Sequence, residues 1–349
     1  MTPVRRTRVP RGRTVVRKPA TRHTGWGLGL GLVLTLALGG CTDDREEVVV
    51  GLITKQEENP YWVSIRHVAE RTARDEGVEL ISATGRSDTD VASQEAAIAD
   101  MVERGADGIL ITPVDSTALL PAIEAAREAG VVVIALDTPV DPVEAVDAYF
   151  ATDNEVAGRL VGEYAQAKAD ALGLEPRIAM LDLAPGISTG QQRHDGFLAG
   201  FEIAEDDPAV VAMVDVEGDR DLAREAMAQI LVEQPDVNVI YTVNEPAALG
   251  ALEVLEEEGA DLSQLVLVSV DGGCRTMREG VRPGRIDATA QQYPENMARE
   301  GVRAIASFVR DGERPSGYLD TGVELVTGDP VPEVASRNIE FGIRNCWGS

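Results

Sequence analysis

The sequence predicts an α/β protein built from two doubly wound parallel-sheet lobes. Short apolar runs of strand length alternate with longer segments of helical pattern, which is typical of parallel sheets covered by helices on both faces. The alternation pauses at residues 151–154 and then begins again over a similar length. The 349 residues are enough for two domains of ordinary size.

The first unit contains four predicted strands and three predicted helices. Its first helix is the best marked, because Asn59 is a favourable N-cap, Pro60 suits the first turn and Gly77 is a stop signal. The connections are long enough for parallel pairing, which needs a crossover of about a dozen residues. The predicted strands are residues 48–53, 80–81, 108–111 and 131–136, and the predicted helices are residues 60–76, 90–104 and 117–129.

The second unit repeats the pattern. Its most distinct strand is the apolar run LVLVSV at residues 265–270, which ends abruptly in Asp271, Gly272 and Gly273. Apolar, partly β-branched runs of this length indicate buried strands. The predicted strands are residues 177–181, 210–214, 239–241, 265–270, 286–290 and 322–326, and the predicted helices are residues 155–171, 189–203, 222–233, 245–258 and 295–309.

Polar and aromatic side chains follow several of these strands. Ligands of open α/β sheets bind beyond the carboxyl ends of parallel strands. Carboxylates, amides and a guanidinium suit a polyol rich in hydroxyls, and aromatic rings can stack on the C–H faces of a sugar. Each residue alone is also compatible with an ordinary turn or core position, but together they predict a ligand site. These residues are Asp137, Asp271, Asn244, Gln291, Gln292, Arg193, Tyr61 and Trp62.

The N-terminus has the pattern of a targeting segment. Residues 1–24 are basic, and the apolar run at residues 25–38 is shorter than the roughly 20 residues of a membrane span. The sequence LGGC at residues 38–41 is similar to a bacterial lipobox. We therefore expect a signal peptide at residues 1–40, a lipidated Cys41 and a tether at residues 41–47. The alternative is an ordinary secretory signal that a chance cysteine follows.

Export also bears on the other cysteines. If Cys41 is lipidated, Cys274 and Cys346 remain. Two cysteines in an oxidising compartment favour one disulfide, and two free buried thiols are the alternative. We expect an exported protein that a lipid holds at the outer face of the cell membrane, without a membrane span. A periplasmic location is the alternative.

Several function classes are disfavoured. The net charge is −27, and the eight basic residues of the signal segment make the remainder more acidic still, which argues against a nucleic-acid partner. The sequence GISTG at residues 186–190 matches a nucleophile elbow, but His194 is the single histidine that follows and no acid lies between them. The histidines are scattered, and the sequence has neither a cysteine cluster nor a Walker loop. We therefore expect no metal site and no cofactor.

Several motifs resemble those of a known family. From residue 48 to about residue 326, the chain is similar to the periplasmic sugar-binding proteins of the ribose-binding type, the extracellular receptors of ABC importers. The sequences DGGC, ATAQQYP and CWG are most similar to the fructose-binding branch. The motifs are ENPYW at 58–62, GILITPVDSTAL at 108–119, VIALDTP at 133–139, ATDN at 151–154, QRHDGF at 192–197, VNEPAALGAL at 243–252, SVDGG at 269–273 and ATAQQYP at 288–294.

The resemblance implies roles for individual residues. Tyr61 and Trp62 would stack on a monosaccharide, and Thr152, at a lobe crossing, would also touch it. The residues implied to hydrogen-bond the sugar are Asn59, Asp137, Arg193, Asn244, Asp271 and Gln292.

The sequence departs from the ribose-binding pattern at two positions. Thr138 stands where the ribose type has arginine, and Gly218 stands where it has an aromatic residue. These departures argue against ribose itself as the ligand. Lys55, which stands where a small hydroxyl residue is usual, could supply the missing cation.

The resemblance also implies a fold with a three-crossing hinge, of the type I periplasmic binding protein kind. The chain would cross between lobes near residues 151, 291 and 320. The N-terminal lobe would then join residues 46–150 with 291–320, and the C-terminal lobe residues 151–290 with 321–349. Both Cys274 and Cys346 fall in the second lobe, which supports their pairing.

The implied function is that of a substrate-binding lipoprotein rather than an enzyme. The lobes would close by hinge motion around one monosaccharide, and a monomer would deliver it to ABC permease subunits. A sugar or autoinducer sensor receptor on the same fold is the open alternative. A transcription regulator would need a helix-turn-helix before the first lobe, where residues 1–47 contain a signal-like core instead.

Overall fold

Two six-stranded sheets form the framework of the protein in the computed structural model, which describes residues 47–348. Both sheets are mostly parallel and are covered by helices, so the predicted α/β class with doubly wound lobes is confirmed. The predicted signal peptide, Cys41 and the tether up to residue 46 lie outside the described residues. No helix within residues 47–348 is long and apolar enough to cross a membrane.

The first sheet is parallel throughout. Its strands are β1 (Val49–Thr54), β2 (Glu79–Thr84), β3 (Gly108–Ile111), β4 (Val132–Leu136), β5 (Ala148–Ala151) and β11 (Gly317–Asp320). They lie in the order β11-β5-β4-β3-β1-β2. The helices that cover the sheet are α1 (Pro60–Glu76), α2 (Val91–Glu103), α3 (Leu120–Glu128) and α9 (Pro294–Asp311).

The second sheet has the same order of crossovers, with one antiparallel strand at its edge. Its strands are β6 (Ile178–Asp182), β7 (Val210–Asp215), β8 (Val239–Thr242), β9 (Val266–Asp271), β10 (Ala288–Gln292) and β12 (Val323–Thr327). They lie in the order β12-β10-β9-β8-β6-β7, and β12 runs antiparallel to β10. The helices of this part of the chain are α4 (Asn154–Leu172), α5 (Ser188–Phe201), α6 (Arg220–Glu233), α7 (Glu245–Glu257), α8 (Cys274–Thr276) and α10 (Ile339–Asn345).

Apolar side chains cover both faces of each sheet. In β1, Leu52 packs with α1 and α9 on one face, whereas its neighbour Ile53 packs with α2 and α3 on the other. Successive strand residues point to opposite faces, so a strand that is buried on both sides is apolar throughout. This explains why the central strands were recognisable as short apolar runs.

The chain passes from one sheet to the other three times. It leaves the first sheet after β5, returns to it after β10 with α9, and leaves it again between β11 and β12. Each passage is short, and each lies next to the carboxyl end of a strand. The crossings therefore lie beside the edge at which α/β sheets bind ligands.

Several features differ from the sequence-based expectation. The short strands β5 and β11 and the short helices α8 and α10 were not predicted, and β11 has exposed side chains along its whole length, so it carries no apolar signal. Gln291 and Gln292 were placed after a strand, but they are the last two residues of β10. The glutamines were misplaced because the prediction followed apolar character, whereas their buried side chains bond to polar groups.

Candidate functional site

Polar side chains from both sheets meet in a cavity between them. The cavity has a volume of about 30 Å³, well below the range for small-molecule pockets, so its walls lie close together in this structure. All the residues predicted to bind ligand line this cavity except Thr152 and Gln291. Thr152 is buried at the crossing with its hydroxyl 3.5 Å from the carbonyl oxygen of Gly322, and the buried Gln291 amide donates to the carbonyls of Gly272 and Gly342. The lining residues are Lys55, Asn59, Tyr61, Trp62, Asp88, Asp137, Leu183, Ile187, Thr189, Arg193, Asn244, Asp271 and Gln292.

Asp137 presents its carboxylate from the end of β4. Its backbone has a φ of 65°, a left-handed conformation that is uncommon for residues other than glycine. The Tyr61 hydroxyl donates a hydrogen bond to Oδ1 at 2.7 Å, and the Thr138 hydroxyl donates to Oδ2 at 3.0 Å. Burial, together with the nearby Asp137 charge, raises the pKa of Tyr61 well above its usual value, so the phenol remains a donor.

Asp271 occupies the corresponding position at the end of β9, with a φ of 108°. Its Oδ1 accepts hydrogen bonds from the Gln292 amide at 2.6 Å and from Arg193 Nη1 at 3.4 Å, and its Oδ2 accepts one from the Glu245 backbone N–H at 3.1 Å. Burial raises the pKa of Asp271, while the Arg193 charge opposes that shift. The two sheets thus each contribute one buried carboxylate to the same cavity.

Arg193 is a fully buried cation with three anchoring contacts. Its Nε donates to Asn154 Oδ1 at 2.9 Å, and its Nη1 donates to the Val243 carbonyl at 2.9 Å as well as to Asp271. Burial alone would lower the pKa of Arg193, but Asp271 and Asp137 outweigh it and the pKa is raised. The guanidinium is therefore charged, and its direction is fixed.

Glycines bring α4 and α5 into backbone contact and so position Arg193. A Cβ atom on Gly158 would overlap the carbonyl oxygen of Arg193, and one on Gly196 would overlap the carbonyl oxygen of Glu155. Because neither glycine carries a side chain, the helices approach closely enough for Arg193 to reach Asn154. The glycines of QRHDGF and of the α4 sequence are thus part of the support of the site.

Lys55 and Asp88 extend the cavity at the ends of β1 and β2. Lys55 Nζ lies 5.2 Å from the centroid of the Trp62 ring, and the Trp62 indole N–H donates to Asp88 Oδ1 at 3.2 Å. Burial lowers the pKa of Lys55, while Asp88 and Asp137 oppose that shift. Asp88 was not among the residues named from the sequence, although it follows a strand just as Asp137 and Asp271 do.

Gly218 makes room for Asn244. The Asn244 amide donates to the Gly218 carbonyl at 3.1 Å, and a Cβ atom on Gly218 would lie 2.5 Å from the same amide nitrogen. Gly218 also has a φ of 68°, which side-chain-bearing residues rarely adopt. Gly218 therefore packs against a residue of the cavity wall without lining the cavity itself.

The arrangement suits binding rather than catalysis. The Ser188 hydroxyl pairs with Ser116 at 2.6 Å, and His194 Nδ1 pairs with Asp182 at 3.2 Å, so the GISTG segment forms no Ser–His pair. The part of the chain that the structure describes contains no group of residues arranged to hold a metal ion. The buried carboxylates, amides and cations can instead satisfy the hydroxyls of a polyol.

Cys274 and Cys346 are joined in a disulfide, with their Cα atoms 4.8 Å apart. The bond connects the turn after β9 to the segment that follows α10. Cys274 comes three residues after Asp271, so this link lies beside the cavity.

Comparisons of the chain with family models and with known proteins agree on one family. Residues 50–314 match the family model described as a periplasmic binding protein domain. The ribose import binding protein RbsB of Bacillus subtilis is 27% identical over 284 residues, which cover 81% of this chain and 88% of the relative.

Solved structures show the same likeness. A periplasmic solute binding protein from Actinobacillus succinogenes, with bound D-allose, has a TM-score of 0.72 and 26% identity, and the match covers 80% of this chain and 98% of that one. A carbohydrate transporter solute binding protein from Agrobacterium radiobacter, in complex with D-arabinose, has a TM-score of 0.74 at 24% identity, covering 81% and 95% of the two chains. The second likeness bears on the fold alone.

Proposed function

This chain belongs to the periplasmic binding protein family, in its ribose-binding type, and from that premise we propose that it is the monosaccharide receptor of an ABC importer. The family consists of substrate-binding proteins of transporters, not enzymes. The observation that carries the proposal is the pair of buried carboxylates, Asp137 and Asp271, which two different sheets direct into one cavity. Such a pair can bind opposite ends of a polyol when the lobes are together.

The ligand contacts that we propose are those implied by the sequence. Asp137, Asp271 and Arg193 would bind hydroxyls as charged partners, and Tyr61 and Trp62 would pack against the ring. Thr152 is proposed to contribute only indirectly, because it is not part of the cavity wall. The remaining proposed contacts are Asn59, Asn244 and Gln292.

We propose a fructose-like ketose rather than ribose as the ligand. The named relatives include receptors for ribose and for allose, so the family alone leaves the sugar open. Thr138 and Gly218 differ from the ribose type and contact the wall residues Asp137 and Asn244, and Lys55 of the wall adds a cation that the ribose type lacks at that position. The proposed preference rests on these residues and on the resemblance of DGGC, ATAQQYP and CWG to the fructose-binding branch.

We propose that the two lobes follow the division of strands between the sheets. Residues 46–150 with 291–320 would form one lobe, and residues 151–290 with 321–349 the other. The three passages between the sheets would act as the hinge, and closure would surround the sugar with both carboxylates. A monomer with one site is the proposed functional unit.

We propose that the protein is exported and anchored by a lipid on Cys41 after removal of residues 1–40. In the exported chain, Cys274 and Cys346 would be paired. Metabolic labelling with a radiolabelled fatty acid should mark the wild-type protein, and Cys41→Ser should abolish the label and release the protein from the membrane fraction. An unlabelled wild-type protein would contradict the anchor while leaving the sugar site unaffected.

Sugar binding is tested by thermal unfolding of residues 42–349 with a panel of monosaccharides. A ligand that binds only the folded state raises the unfolding temperature in proportion to its affinity and concentration. We expect one ketose or a close relative to raise it, and Asp271→Asn to reduce that rise. If no monosaccharide shifts the unfolding temperature, the proposed function is wrong.

A further inference from the structure

Trp347 lies against the cavity although it is far in sequence from every residue of the cavity wall. Its side chain is only 3% exposed. Its ring makes a T-shaped contact with that of Tyr61, with ring centroids 5.0 Å apart at an interplanar angle of 83°. Its indole N–H donates to the backbone carbonyl of Asp271 at 3.2 Å. One side chain thus touches a residue from each of the two sheet systems that form the site.

Trp347 is fastened to the turn that follows Asp271. The Cys274 backbone N–H donates to the Trp347 carbonyl at 2.8 Å, and the neighbouring Cys346 forms the disulfide with Cys274. The indole ring nevertheless packs in the apolar cluster of α1 and the first sheet, together with Tyr61 and Trp62. The segment therefore reaches across the cleft from the second sheet to the first.

The contacts of Trp347 act on both carboxylates of the site. The Tyr61 ring makes T-shaped contacts with both Trp62, at 4.7 Å between centroids, and Trp347, and its hydroxyl donates to Asp137. On the other side, the indole N–H holds the carbonyl of Asp271, whose left-handed φ of 108° must be maintained by its surroundings. Fixing Tyr61 and the Asp271 backbone also fixes the directions in which the two carboxylates point.

We propose that Trp347 is a positioning residue of the sugar site, held in place by the Cys274–Cys346 disulfide. This inference rests on the proposed sugar-binding function and adds to it a dependence on residues 346–348. Trp347 does not line the cavity, so it acts through Tyr61 and Asp271 rather than by touching the sugar. Affinity should therefore depend on Trp347, while the choice among sugars should not.

Two substitutions separate the contributions of the ring and the N–H group. Trp347→Ala removes both, and we expect it to raise the Kd of the best sugar about tenfold, the size of effect that loss of one buried hydrogen bond produces. Trp347→Phe keeps an aromatic ring beside Tyr61 but removes the donor, and we expect a smaller rise. The measurement is calorimetric titration of residues 42–349 at a temperature well below unfolding.

A matched control removes buried apolar volume elsewhere. Ile123 of α3 is fully buried in the apolar cluster that α2 and α3 form on the first sheet, and it is not part of the cavity wall. Ile123→Ala should lower the unfolding temperature and leave the Kd unchanged. A general loss of stability is thereby distinguished from a loss of positioning.

The role of the disulfide is tested by a double-mutant cycle. Cys346→Ser should raise the Kd by an amount similar to that caused by Trp347→Ala, because the indole loses its tether. The double variant should bind no worse than Trp347→Ala alone, since both changes remove the same positioning. Reduction of the wild-type disulfide should give the same weakening as Cys346→Ser.

The outcomes are distinct. A folded Trp347→Ala or Trp347→Phe protein with wild-type Kd overturns the positioning role while sugar binding by the wild type stands. Fully additive effects of Cys346→Ser and Trp347→Ala overturn the tether. A wild-type protein that binds no sugar overturns the proposed function, and this inference with it, before any variant is compared.

Discussion

The two carboxylates of the cavity are held by different kinds of donor. Asp137 accepts from two hydroxyls, those of Tyr61 and Thr138, whereas Asp271 accepts from a guanidinium, an amide and a backbone N–H. Charge-assisted bonds to Arg193 make Asp271 the more strongly anchored of the two. The two acids are therefore expected to respond differently to substitution.

Asp271→Asn tests the more strongly anchored acid. The amide that replaces one carboxylate oxygen would face the donor groups of Arg193 and Gln292, so a buried donor loses its partner. We expect the free energy of sugar binding to weaken by about 1–3 kcal/mol, roughly five- to 150-fold in Kd. Calorimetric titration measures the change, and Asp236→Asn, at an exposed pair with Arg177, is the control that should bind like the wild type. Unchanged binding by Asp271→Asn would remove this residue from the site.

Glu245 makes the stability of the protein depend on pH. Burial, and then the nearby Asp271 charge, raises the pKa of Glu245 to about 7, and its carboxylate accepts from the Gly273 N–H at 2.7 Å. In the unfolded chain the pKa returns to its usual value near 4.5. Between these two values the folded protein keeps a proton that the unfolded chain has lost. The free energy of unfolding should therefore fall as pH rises from about 4.5 to about 7.

Glu245→Gln isolates this effect. The glutamine carbonyl can still accept from Gly273 N–H but cannot ionise. Urea unfolding of the sugar-free protein at pH values from 5 to 8 should show a decline in the free energy of unfolding that is larger in the wild type than in the variant, by on the order of 3 kcal/mol. Parallel pH profiles for the two proteins would show that Glu245 does not titrate in this range.

The sequence located most of the site because the carboxyl ends of strands can be recognised from apolar runs. Asp137 and Asp271 each end such a run, and Asn244 follows another. The same rule could have indicated Asp88, but this residue lies four positions beyond the end of β2. Trp347 could not be placed, because its position depends on a contact across the cleft that no local pattern records.

The close contact of α4 and α5 is the element on which the position of Arg193 depends. Gly196→Ala would place a methyl group against the carbonyl oxygen of Glu155, so the helices would have to move apart. We expect a loss of stability of about 1–3 kcal/mol, typical of overpacking, together with weaker sugar binding because Arg193 moves with α5. Urea unfolding and titration measure the two effects.

Ala199→Ser is the matched control for this prediction. Ala199 lies on the exposed side of the same helix, so the substitution leaves the contact with α4 intact. It should behave like the wild type in both measurements. If Gly196→Ala has wild-type stability, the contact between α4 and α5 tolerates a methyl group, and the close approach of the helices is not required.

Short elements at the sheet edges are the part of the fold that the sequence did not predict. The central strands and the capped helices were predictable, because two-sided burial makes strands apolar and Asn59 and Gly77 mark the ends of α1. The edge strand β11 was not, since its side chains are exposed and the neighbouring β5 alone provides its pairing. The three-crossing connection came from the family resemblance rather than from periodicity.

Several hydrogen bonds connect the two sheet systems beside the cavity. The Ser116 N–H donates to the Gly186 carbonyl at 3.1 Å, Ser116 and Ser188 share a hydrogen bond at 2.6 Å, and the Thr189 hydroxyl lies 3.2 Å from that of Thr138. These hydrogen bonds are few, and water could replace each of them in a more open state, so their net contribution to stability is modest. We therefore expect the sugar-free protein to sample a more open state.

Small-angle scattering tests closure directly. The radius of gyration of residues 42–349 should decrease when the preferred sugar is added, because the ligand binds the closed state more tightly than the open one. Ser188→Ala, which removes a contact between the lobes, should weaken binding a few-fold without changing which sugar is preferred. An unchanged radius of gyration on binding would contradict hinge closure.

The central claim is that one cavity between two lobes binds one monosaccharide. Isothermal titration calorimetry of residues 42–349 with fructose, ribose, glucose, xylose, galactose and myo-inositol tests it most directly. We predict binding with one site per chain and micromolar or tighter affinity for one member, with fructose the expected ligand. Absence of heat with every member of the panel, in a protein that unfolds cooperatively, would contradict the claim.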